Sequence, residues 1–167
     1  MKLSSSAFNE GDVIPEKHTG RGDDVSPQLS WSGKPEGTKS LALICDDPDA
    51  PSRDFPREEG PWVHWVIYNI SADTTELPEA VSHVADLEIP AGAHQGTNDF
   101  SDNNVGYRGP MPPAGTGPHR YFFKIYALDA ELDLEAAGAT KAILLEAMEG
   151  HILNEGQLMG TFEVKKN

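Results

Sequence analysis

Cysteine is nearly absent from this chain. Cys45 is the only one in 167 residues, so no intramolecular disulfide can form and a reducing compartment, the cytoplasm, is the simplest expectation. Cys45 follows Leu41-Ala42-Leu43-Ile44 and reads as a small buried hydrophobe rather than a reactive thiol. Long apolar runs are absent too. None approaches the roughly 20 residues of a membrane-spanning helix, and no apolar signal region opens the chain, so neither a signal peptide nor a transmembrane segment is expected. Positive charge is scarce: 13 Lys and Arg stand against 27 Asp and Glu, for a net −14. That balance argues against nucleic acid, where Lys and Arg must displace counterions from phosphates, and against an anionic membrane surface. A solvated acidic surface is the plain reading. Also missing are the phosphate-binding Walker loop, the dinucleotide-binding glycine pattern, the G-x-S-x-G elbow of hydrolases and the HExxH or HxH spacing of metal sites.

What the chain has is turns and short apolar runs. With 16 Gly and 13 Pro, few helices can coexist with so many breakers. The length suits one domain, residues 1–167, with a real core. Met1 to Ile14 carries a weak strand signal, anchored by Leu3, Phe8, Val13 and Ile14. Leu29-Ser30-Trp31-Ser32 alternates as a half-buried strand does. Ser40 to Asp46 is apolar on both faces, hence a central strand. Trp62 to Ile70 is the most apolar run of all, with His64 inside it. Glu79 to Val84 reads as a short turn or strand. Gly92 to Gly106 is long, polar and rich in Asn and Asp, and such loops are usually functional or mobile. His119 to Leu128 is a long strand. One helix is predicted, from about Thr140 to about Leu153, with Thr140 as N-cap. Its apolar face is Ile143, Leu144, Ala147, Met148, His151 and Ile152. Leu158 to Val164 closes the chain as a strand. The fold class is mainly antiparallel β with one late helix.

Alternation along a strand places Trp62, His64, Val66 and Tyr68 on one face, and His119, Tyr121 and Phe123 on another. If the two strands are close, two histidines and a tyrosine line one cavity and can donate hydrogen bonds to an oxyanion. Taken singly, each histidine reads as an ordinary buried residue. Asp47 and Asp49 flank Pro48 in a stiff loop. Their plain role is to accept bonds from nearby backbone N–H groups; a carboxylate in this loop would also suit the amine of a zwitterion. Gly109-Pro110-Met111-Pro112-Pro113 makes a rigid wall. Arg120 points opposite to His119 and is expected to pair with a carboxylate. A metal site of His64, His119 and Asp47 is allowed by residue type but supported by no spacing.

Three stretches, taken together and in order, resemble the phosphatidylethanolamine-binding protein family, which includes the Raf kinase inhibitor proteins. They are Asp47-Pro48-Asp49-Ala50-Pro51, Trp62-Val63-His64-Trp65, and Gly115-Thr116-Gly117-Pro118-His119-Arg120-Tyr121 with Pro112-Pro113 before it. Ile14-Pro15, Ser26-Pro27-Gln28-Leu29-Ser30-Trp31 and Pro35 to Leu41 are similar to its bacterial and archaeal branch. The resemblance implies a β-sandwich of antiparallel sheets with Greek-key elements and a small anion pocket. The pocket residues carried over are Asp47, Ala50, Pro51, His64, Pro112, Pro113, His119 and Tyr121, with Trp62 shaping the wall. It further implies cis peptides at Ala50–Pro51 and Gly60–Pro61. The implied function is non-enzymatic: binding of a phosphate-bearing small molecule or phospholipid head group, without cofactor or metal. A kinase or protease is the implied protein partner, a homodimer is one form open to the chain, and a phosphoester hydrolase is the enzymatic alternative. Two departures bear on the pocket. No C-terminal helix like that of eukaryotic relatives follows Val164, so a more open mouth is expected. Gly20 and Met111 stand where many bacterial relatives have cysteine, so Met111 should alter the rim.

Overall fold

The computed structural model describes residues 1–102, 104–136 and 138–167. Among them the strands are β1 (Lys2–Ser4), β2 (Leu29–Ser32), β3 (Ser40–Asp47), β4 (Trp62–Ser71), β5 (Glu76–Leu77), β6 (His94–Gln95), β7 (His119–Leu128) and β8 (Ile152–Phe162), with helix α1 (Lys141–Met148) between the last two. A sheet of order β6-β4-β3-β7-β8 faces a smaller one of order β1-β2-β5, and every pairing within them is antiparallel. β3 is buried at every position, because the large sheet is covered on both faces. Its inner face meets the small sheet through Leu41, Leu43, Trp65, Ile67, Phe123 and Ile125 against Leu3, Leu29 and Trp31. Its outer face packs Ala42, Ile44, Val66 and Tyr68 under Leu144 and Met148 of α1. No helix among the described residues is long and apolar enough to cross a membrane.

The helix is shorter than its apolar spacing predicts. Thr140 does cap it, accepting from Ile143 N, but it ends at Met148, and the chain reverses through Gly150 at φ +82°, a conformation that favours glycine. Ile152, read as helical, instead opens β8 opposite Leu128, and the pairing runs on to Phe162 opposite His119. The closing strand therefore begins six positions before Leu158. Ile143 and Ile152 are left exposed. Glu79 to Val84 forms no strand; Ala80 N and Val81 N bond instead to the carbonyl and hydroxyl of Ser26.

β4 departs from strict alternation. Val63 pairs with Asp46 and Trp65 with Cys45, so His64 is an extra residue, a bulge in the ladder. The bulge shifts the phase of the strand. Val63, Val66 and Tyr68 pack on the helix side, whereas His64 turns inward, its ring 5.2 Å from that of Tyr121. His64 thus does not share a face with Val66 and Tyr68. A second irregularity, between Leu41 and Leu43, coincides with Asn69 at φ +53°. The Asn69 amide bonds both the N–H and the carbonyl of Leu132, tying β4 to the segment before α1.

Candidate functional site

The site forms where β3 ends, where β4 begins and where β7 begins. Asp47, the last residue of β3, is 3 % exposed. One carboxylate oxygen accepts from the backbone N–H of Asp49 at 2.7 Å. The other accepts from Nδ1 of His119 at 2.7 Å. His119 is fully buried, and its Nε2 lies 2.9 Å from the Thr116 hydroxyl. That hydroxyl is also 2.7 Å from the Pro113 carbonyl. On the opposite side of the same loop, Asp49 accepts from the Arg120 backbone N–H at 2.9 Å, from its Nε at 3.0 Å and from its second guanidinium nitrogen at 2.9 Å. Burial pushes the Asp49 carboxyl up, but the Arg120 bonds and charge outweigh it and hold the group below its usual range.

His64 is anchored differently. Its Nδ1 lies 2.5 Å from the Arg108 carbonyl oxygen. A carbonyl only accepts, so Nδ1 carries the proton. Burial pushes the imidazole below its ordinary value of 6.5, against the opposing pull of the Arg108 bond and of Asp47, and leaves it neutral with a lone pair on Nε2. Tyr121 stays a neutral phenol, pushed far up by burial and then by the charge of Asp47. Phe100 stands edge-on to both Trp62 and His64, with ring centroids 5.4 Å apart in each case. The Arg57 guanidinium lies 4.8 Å from the Trp62 ring centroid. It donates to Gly60 O, Pro61 O and Asp99.

These side chains enclose a cavity of about 320 Å³. Asp47, Ala50, Pro51, Trp62, His64, Pro112, Pro113, His119 and Tyr121 all line it, so the nine residues that the resemblance assigns to the pocket meet at one place. Met111 is there too, seated so close to Gly20 that a Cβ on that glycine would lie 3.0 Å from its own. Arg57 and Phe100 also line the cavity, and sequence reasoning missed them. Phe100 is the one phenyl ring in the polar 92–106 stretch, a signal that could have found it. Arg57 shares its loop with Arg53, and nothing in the sequence separates the two. The Ala50–Pro51 peptide at the cavity wall is cis. Gly60–Pro61 is not: the cis bonds of the described residues are Ala50–Pro51 and Ile89–Pro90, and the reversal before Pro61 is made by Gly60 at φ +99°.

The two histidines, given one task from the sequence, have different surroundings. Both ring nitrogens of His119 are already engaged, whereas the second ring nitrogen of His64 has no hydrogen-bond partner among the described residues. Thr116, His119 and Asp47 follow the order hydroxyl, imidazole, carboxylate that activates a nucleophile. Thr116 is not among the residues lining the cavity, however, and its single proton has Pro113 O as a second acceptor. Among the described residues no group of three His, Cys, Asp or Glu is placed to hold a metal ion.

The two-sheet antiparallel sandwich is shared with solved structures of a known family. The chain is a member of the phosphatidylethanolamine-binding protein family, whose model matches residues 4–163. It is 52 % identical over 162 residues to a UPF0098 protein of Methanothermobacter thermautotrophicus, covering 97 % of this chain and 98 % of that one. Among solved structures it is similar to Escherichia coli YbcL, described as a member of the mammalian PEBP family, with a TM-score of 0.86 at 33 % identity over 98 % of each chain. It is also similar to a homologue from Chlamydia trachomatis, with a TM-score of 0.82 at 43 % identity over 99 % of this chain and 97 % of that one. These archaeal and bacterial relatives match the branch that the sequence resembles.

Proposed function

We propose that the chain is a binding protein that holds a phosphate-bearing small molecule or head group in this cavity, without turning it over. The observation that carries the reading is the convergence of three segments far apart in sequence, those holding Asp47, His64 and His119, on one cavity of about 320 Å³. Its volume is that of a small-ligand site. Its walls are prolines and aromatic rings, which are preorganised and lose little entropy on binding. Arg57 brings a positive charge to the wall, and His64 brings a ring nitrogen with no partner among the described residues. The binding unit is one domain, residues 1–167, since Gly11, Asp12 and Ile14 bond along β8 and join the two ends of the chain.

The test is an NMR titration of the ¹⁵N-labelled protein with phosphoethanolamine. Saturable shifts of the His64 and Trp62 signals at millimolar ligand or below are expected. Unchanged spectra at that concentration would defeat the reading. Turnover of a phosphoester that survives purification would replace it with the hydrolase.

A further inference from the structure

Resting on that reading, the polar groups of the cavity say more about what it takes. Nδ1 of His64 is committed to the Arg108 carbonyl. Its Nε2 bonds to no described residue, and no sealed-off side-chain nitrogen or oxygen among those residues lacks a partner. Nε2 is therefore open to the cavity that His64 lines. In the neutral ring it is an acceptor. Beside it stands the Asp47 carboxylate, and the positive charge of Arg57 is balanced by Asp99 at 2.6 Å. The remaining charges toward the ring are Asp46 on β3 and Asp24 beyond Arg108, both negative. Tyr121 faces it from β7, the ring centroids 5.2 Å apart, and His119 stacks on the Tyr121 ring.

We infer that the cavity selects an oxyanion that carries its own proton, either orthophosphate or the monoanion of a phosphomonoester, over oxyanions of the same shape without one, and that Nε2 of His64 is the selecting atom. A P–OH group donates to Nε2. The bare oxygens of sulfate, or of a phosphodiester such as the linkage in a phospholipid, set lone pair against lone pair next to a carboxylate. An acceptor left facing an acceptor in a buried site is the arrangement that discriminates most strongly between otherwise similar ligands. The inference ranks a free phosphate or phosphomonoester above the phosphodiester of an intact lipid as the occupant.

The experiment is calorimetric titration of the full chain with orthophosphate, sulfate and dimethyl phosphate, at about pH 7.5 and about pH 5.5. Orthophosphate is expected to bind at least about tenfold more tightly than either proton-free anion at the higher pH. Sulfate should tighten as the pH falls, because a protonated His64 donates from Nε2. His64→Gln, whose amide can donate, should close the gap at the higher pH. Equal affinity for the three anions overturns the selection and leaves the binding site standing. No binding of any of them at millimolar concentration overturns both. If His64→Gln does not fold, the ¹⁵N signals of His64 in the wild type carry the test. Nε2 should stay unprotonated in the orthophosphate complex, and a protonated Nε2 there ends the inference.

Discussion

Asp47 and Asp49 stand two positions apart, are equally buried at 3 % exposure, and meet consecutive residues of β7, His119 and Arg120. They do different work because β7 alternates. His119 points inward to the cavity and Arg120 outward to the surface. The Asp49 pair closes on itself, with the carboxylate taking a backbone N–H and a two-pronged guanidinium. The Asp47 pair stays open: its imidazole continues to Thr116, and its carboxylate borders the cavity. Burial does not distinguish a carboxylate that lines the cavity from one that only clamps a strand. What lies on the far side of its partner does.

The largest effect on stability should follow from cutting the closed pair. Asp49→Ala leaves the Arg120 N–H and guanidinium without their acceptor. Arg120 is partly exposed, so the loss sits at the low end for a broken buried pair, about 3 kcal/mol. Urea denaturation measures it. Phosphoethanolamine affinity should change little, because the Asp49 N–H that steadies Asp47 belongs to the backbone. A loss below about 1 kcal/mol would reduce the clamp to an ordinary surface ion pair.

Cutting the open pair should lower stability less and binding more. Asp47→Asn has one side-chain oxygen for two donors, Asp49 N and His119 Nδ1, so one donor loses its acceptor at about 1–2 kcal/mol. The cavity also loses a negative charge. Sulfate affinity should therefore rise more than orthophosphate affinity, which calorimetry on the variant measures directly. If both affinities collapse together, Asp47 only shapes the site.

How much of this was legible in the sequence follows the same division between closed and open arrangements. β3 was legible because it is apolar on both faces, a pattern that only a strand covered on two sides can satisfy. The clamp was legible because alternation puts Arg120 opposite to His119. The direction of His64 was not. A bulge is defined by the partner strand, since Val63 and Trp65 reach Asp46 and Cys45 with one residue to spare, and a single strand's own pattern shows no such excess. The helix end was misplaced because Ile152 satisfies helical spacing and a cross-strand pair alike, and ten ladder pairs with β7 outweigh one more turn. The lone phenyl ring of Phe100 was a signal left unread, whereas Arg57 was illegible because Asp99 brings its loop to the site, bonding both Arg57 and the Val63 N–H. That contact links residues some forty positions apart.

Acid should separate the two regions in sequence. His64 has its folded value lowered from 6.5 by burial. The stability it contributes is complete above that value and declines as the pH falls through and below it, because the unfolded chain takes up the proton first. Asp49 has its folded value lowered from 3.8. Its contribution is complete above 3.8 and is lost as the pH falls further, through the folded value. Urea midpoints followed against pH should show both windows in the wild type. His64→Gln should lack the upper one, and Asp49→Ala the lower. Unchanged behaviour of His64→Gln in the upper window would assign that window to another group.

The smallest effect tests the end of the open chain. If the Thr116 hydroxyl only braces His119, Thr116→Val removes its contacts with the Pro113 carbonyl and with His119 Nε2 and lowers stability by about 1 kcal/mol. Orthophosphate affinity should stay within about twofold, because Nε2 of His119 is turned toward Thr116 and not toward the ligand. Thr116→Ser should restore the stability. If the hydroxyl were instead a nucleophile aligned by His119 and Asp47, the wild type would be labelled at Thr116 by an acylating ester, and Thr116→Val would lose that label. Mass spectrometry after exposure to such an ester separates the two roles. An unlabelled wild type, with the stability loss of Thr116→Val rescued by serine, makes Thr116 the brace that holds the His119 ring as a fixed wall of the cavity.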